Sequence, residues 1–166
     1  MCCLKCCNVA TPKNIRYDDF TVSDDPTIWN YPLGVSKSTS RTSGNWGMAI
    51  PVNGYNELKT LPFKGQWSNI QSLSVDLLYG PLTPNPYWVG AISAFVDCPS
   101  LNVSSVSLGN INLSGFLPNR FNALSFAIPF ELRSKMSTYA SDWVIRFSVN
   151  GPTGSSAFIV DNLRIY

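Results

Sequence analysis

Along residues 142–149 (DWVIRFSV) apolar and polar positions alternate. Trp143, Ile145, Phe147 and Val149 fall on one side; Asp142, Arg146 and Ser148 fall on the other. In 70–77, Leu73, Val75 and Leu77 oppose Ser72, Ser74 and Asp76 in the same way. A period of two puts successive side chains on opposite faces of an extended chain, so both stretches predict half-buried strands. Similar runs at 15–22, 46–52, 87–97, 121–128 and 156–165 are separated by clusters of Pro, Gly, Asn and Ser, and weaker ones lie at 33–40, 55–61 and 102–113. Only 129–137 (PFELRSKMS) suits a helical turn or two. About ten short strands without a strand–helix alternation predict an all-β, antiparallel β-sandwich of the jelly-roll type over residues 15–166. Residues 1–14, low in strand signal, read as an irregular N-terminal arm.

Composition narrows the setting. A chain of 166 residues suits one domain that buries roughly 70% of its unfolded surface. Charged residues make up 13% of it, against about 25% in a typical soluble protein. Its surface is therefore expected to be built from hydroxyls, amides and backbone, as in proteins that work outside the cell or in assemblies. The net charge is +2 and the basic residues are scattered, so nucleic acid is not an expected partner. No run reaches the ~20 apolar residues of a membrane span. The opening MCCLKCCNVATPKN has no apolar core of a secretory leader, so export expects a removed leader or another route. Histidine is absent, which excludes Ser-His-Asp and Cys-His catalysis, His-ligated metals and an imidazole pH switch.

The last stretch, FIVDNLRIY, sets Asp161 among aliphatic residues. A buried, unpaired carboxylate costs several kcal/mol, so it needs a partner. Backbone N–H groups at a bulge, or Arg16 or Arg164, would serve. Four segments together give a further lead: YDDF with IWN at 28–30, SGNWGMAIPV at 43–52, FNALSFAIP leading into SDWVIRFSVNGP, and AFIVDNLRIY. In these the chain resembles the jelly-roll carbohydrate-binding modules attached to secreted polysaccharide-active enzymes. The resemblance implies a non-catalytic, extracellular domain that binds a polysaccharide or glycan. It also implies a structural calcium ion shared by Asp19 (or Asp18) and Asp161, with carbonyls of the 43–46 loop completing a set of hard oxygens. Where the family often has Glu in the first strand, this chain has Asp.

Sugars stack C–H patches on aromatic faces and hydrogen-bond to planar polar groups. Trp29 and Tyr31, Trp67, and Tyr87 with Trp88 stand outside the alternating core positions and are candidate ligand contacts; the bland alternative is loop packing. Arg146, a donor fork flanked by small hydroxyls, is the candidate on an open sheet face, expected beside Asp76, Tyr87, Ser93 and Asp97. It could equally pair with Asp76 or Asp97 on a solvated surface. Glu57 and Glu131 read as solvated charges, and no carboxylate pair or nucleophile motif marks an enzyme.

Cys2, Cys3, Cys6 and Cys7 crowd the arm, and five cysteines in all is an odd number. A soft-metal site, lipidation, intermolecular disulfides or, most blandly, an added or undirected tail are the readings of this cluster. The disulfides would make the chain a structural subunit of an extracellular filament or coat, the alternative to glycan binding. Cys98 reads as a disulfide partner or a small buried hydrophobe. Asn102-Val-Ser104 and Asn112-Leu-Ser114 are sequons that matter only on a eukaryotic secretory route.

Overall fold

The computed structural model describes residues 35–42, 46–81 and 83–166, together with the backbone pairing of 15–16 and 29–30. Twelve strands and one short helix are described: β1 (Ile15–Arg16), β2 (Trp29–Asn30), β3 (Ser36–Ser38), β4 (Gly47–Ile50), β5 (Gly54–Thr60), β6 (Phe63–Gly65), β7 (Ser72–Tyr79), β8 (Ala91–Cys98), β9 (Val103–Asn112), β10 (Phe121–Ala127), α1 (Phe130–Met136), β11 (Ala140–Gly151) and β12 (Phe158–Ile165). They form two antiparallel sheets. The first runs β10-β7-β12-β4-β3, with β1 also on β12; the second runs β2-β5-β11-β8-β9, with β6 also on β11. The expected jelly-roll sandwich is the fold found.

Alternation decides which faces meet. Trp143, Ile145, Phe147 and Val149 of β11 are at most 1% exposed and face Leu73, Val75 and Leu77 of β7, which are fully buried. Burying side chains of this size contributes about 1.5–3 kcal/mol each, which makes this layer the main source of cohesion. The weaker sequence runs at 33–40, 55–61 and 102–113 also carry strands. The run at 87–97 differs at its start: residues 87–90 form a loop and β8 begins at Ala91. Gly90, at φ 136° with Asn150 O only 2.8 Å from where a Cβ would lie, explains the break, because a side chain fits neither the dihedral nor the space.

Strand β12 sits inside the first sheet, with β7 on one side and β4 and β1 on the other. The first and last strands are thus neighbours, Ile15 opposite Ile165 and Arg16 opposite Arg164. Between Asp161 and Arg164 the register with β7 slips, and Asn162 takes φ 59°. Asn tolerates this left-handed conformation better than most residues, and a bulge there keeps Phe158, Val160, Leu163 and Ile165 all turned into the core.

Candidate functional site

The outward face of the second sheet can be built row by row. Directly opposed residues in a sheet share a face, and every second row returns to it. Tyr55, Asn150, Ala91 and Asn112 form one row across β5, β11, β8 and β9. Glu57, Ser148, Ser93 and Asn110 form the next; Lys59, Arg146, Phe95 and Ser107 follow, and then Val144 beside Asp97. The core alternation of β11 makes this face polar, since each buried residue leaves its neighbour pointing out.

Arg146 is the centre of the face. Its Nε donates to Asp97 Oδ2 at 2.6 Å, Nη1 to Glu57 Oε2 at 2.9 Å and Nη2 to Ser105 Oγ at 2.8 Å. The guanidinium carbon lies 5.2 Å from the centre of the Phe95 ring. Burial works against its charge, but the carboxylates of Asp97 and then Glu57 more than offset this and hold its pKa above the ordinary arginine value. Each nitrogen of the fork is engaged, so the guanidinium plane is fixed in orientation. Next to it a hollow of about 420 Å³ is lined by Lys59, Thr60, Pro62, Asp97, Pro99, Asp142, Val144 and Arg146. At its rim Asp142 accepts from Ser100 N at 2.8 Å, Ser100 Oγ at 2.6 Å and Cys98 Sγ at 3.1 Å. These donors, the Ser100 hydroxyl foremost, hold the Asp142 carboxyl below its usual value. Cys98 itself is a buried free thiol whose pKa burial pushes up.

At the other end of the face Tyr55 is 66% exposed; Tyr87, 92% exposed, lies in the loop that leads into β8. Between Tyr55 and the hollow, Asn110 Nδ2 donates to Ser93 Oγ at 2.8 Å. The face thus offers aromatic surfaces, hydroxyls, amides and a locked donor fork.

The sequence-derived candidates fall unevenly on this frame. Arg146, Ser93 and Asp97 share the face. Asp76 does not: it lies on β7 in the other sheet, bound by Arg164 Nη2 at 3.1 Å and Asn162 Nδ2 at 2.8 Å. Trp88 is half-buried beside the exposed Tyr87. Trp67 is a correction. It is 4% exposed and packs edge-on to Phe63 and Trp143, with ring centres 5.6 and 5.7 Å away, so its faces belong to the core. Glu57 is a second correction, an ion-pair partner of Arg146 and not a solvated charge. For Trp29 the description covers only the backbone, which pairs with Thr60. Tyr31, Asp18, Asp19, Cys2, Cys3, Cys6 and Cys7 lie outside the described residues. Tyr55, Lys59 and Phe95 were missed, although the alternation of 54–60 and 91–98 marks them as outward positions.

Asp161 has its compensation in hydrogen bonds. Its Oδ2 accepts from Thr42 N at 2.5 Å and lies 2.8 Å from Thr42 Oγ1, and its Oδ1 accepts from Asn162 N at 2.8 Å. Among the described residues no group of three His, Cys, Asp or Glu side chains could hold a metal ion. The rest of the expected calcium set, Asp18, Asp19 and the carbonyls of residues 43–45, lies outside the described residues.

No family model matches the chain, and no curated protein does. Solved structures do. The CBM27-1 module of Caldicellulosiruptor saccharolyticus, solved with mannohexaose, superposes with a TM-score of 0.56 at 16% identity over 93% of this chain and 96% of that one. The CBM22-1–GH10 modules of the Clostridium thermocellum endo-1,4-β-D-xylanase 10B, solved with xylohexaose, give 0.59 at 14% identity over 93% of this chain and 28% of that one. A CBM28 module described as specific for non-crystalline cellulose gives 0.56 at 13%, over 82% and 86%. The fold is thus that of the carbohydrate-binding-module β-sandwiches. Identities this low establish the fold and nothing further.

Proposed function

We propose that this chain is a non-catalytic, extracellular carbohydrate-binding module that takes a polysaccharide or glycan on the outward face of its second sheet. The observation that carries the proposal is the locked Arg146 fork, set between the exposed Tyr55 and the hollow at Asp142. Binding sites of this kind combine apolar platforms with a few fixed polar groups. The structural neighbours solved with mannohexaose and xylohexaose add support from the same fold. Glycoside hydrolysis would need a carboxylic acid with a raised pKa, whereas Asp142 is shifted downward and Asp97 is committed to Arg146. The filament alternative, stapled through Cys2, Cys3, Cys6 and Cys7, draws on residues outside the described part.

Affinity electrophoresis against soluble mannan, xylan, cellulose derivatives and galactan tests the proposal. The native chain is expected to be retarded by at least one. Tyr55→Ala, at an exposed position, should weaken that retardation about tenfold, the loss of one stacked ring, and leave the melting temperature unchanged. Absence of retardation by every polymer and by a wider glycan array would refute the proposal.

A further inference from the structure

The four ends of the two sheets are not alike. A free strand edge displays unpaired N–H and C=O groups that invite another strand, and proteins normally shorten it, bend it or charge it. As described, β2 has two residues, and β3 has three including Lys37. β9 is long, but its register slips twice against β8, with Ser105 and Gly109 at positive φ. Among the described residues the remaining end, β10, has none of these devices. It is seven residues (FNALSFA) with no charge and no proline, in unbroken register with β7 from Phe121 opposite Leu78 to Ala127 opposite Ser72. Its outward residues Ala123, Ser125 and Ala127 are small and exposed.

We propose that β10 pairs with β10 of a second copy of this chain, making a two-fold dimer in which the first sheets join into one. Antiparallel pairing over the whole strand centres on Leu124. Ala123 then lies opposite Ser125 of the second copy and Phe121 opposite its Ala127, so small side chains meet and no like charges do. The flanks argue for the same occupant. Leu117, 56% exposed, precedes the strand, and Phe130, 78% exposed, follows it. The exposed Arg120 stands at the first end and the exposed Glu131 at the second. An antiparallel two-fold brings unlike ends together: the Leu117 end of one copy meets the Phe130 end of the other, and Arg120 comes to the end that carries Glu131. A parallel pairing would set Arg120 beside Arg120. The contact uses the same patch on both copies, so it closes at two and does not propagate.

Sedimentation of the full chain under reducing conditions, from micromolar to near-millimolar concentration, reads the assembly without interference from thiols. The expected mass rises from 18.3 kDa to twice that value. Ser125→Lys, which places a charge on the edge, should leave a monomer. Arg120→Glu should weaken association about tenfold by setting like charges together, and adding Glu131→Arg to it should restore the dimer. A monomer at every concentration would overturn the proposal. So would a dimer indifferent to Ser125→Lys, or an Arg120→Glu effect that the second exchange does not reverse.

Discussion

Removing the indole of Trp67 empties the space between Phe63 and Trp143. Trp67→Ala is expected to cost about 3–5 kcal/mol of stability, read in urea unfolding. Nothing in the sequence marks this ring as core. It lies in a loop with no alternation to follow, and what buries it comes from β6 and β11, the latter more than seventy residues away. The same non-locality hid Glu57, whose partner Arg146 is 89 positions on. Asp142 gives a pH dependence with a definite sign. Its carboxyl is held below the usual 3.8 by Ser100 and Cys98. A depressed carboxyl stabilises the fold above its unfolded value and loses that contribution as pH falls through its folded value. Asp142→Asn should therefore narrow the drop in melting temperature between about pH 6 and pH 3, measured by circular dichroism.

At the scale of elements, β7, β11 and β12 were legible because their alternation or apolar density is written in consecutive residues. The bulge in β12 was not, because one left-handed residue, Asn162, leaves no periodic trace. It explains why an aspartate can stand in a hydrophobic final strand. The slip turns Asp161 outward onto Thr42 and the Asn162 N–H while the aliphatic residues on both sides stay inside. Asp161→Ala would orphan two N–H donors, at a cost of about 1–3 kcal/mol. If hydrogen bonds are the whole compensation, the loss in urea unfolding is the same with calcium and with EDTA. A native chain stabilised by calcium, with the gain lost in Asp161→Ala, would instead establish the metal shared with Asp18 or Asp19.

For the molecule as a whole, the sandwich followed from counting strands and the candidate face did not. Alternation tells which residues point away from the core, but not which strands stand side by side. Asp76 and Arg146 each sit on the polar side of an alternating strand, yet they belong to different sheets. The candidate face emerged only when register set Tyr55, Arg146 and Phe95 on one plane.

Pairing Ile15 with Ile165, and β4 and β7 with opposite sides of β12, also sets the order in which the chain can mature. During synthesis the first sheet lacks its middle until the segment from Phe158 onward has left the ribosome. Until then β4 and β7 each present an open side, with apolar residues waiting for Phe158, Val160, Leu163 and Ile165. Folding is therefore governed by distant pairings, which are the slow kind. A nascent chain halted before β12 is the species most in need of a chaperone.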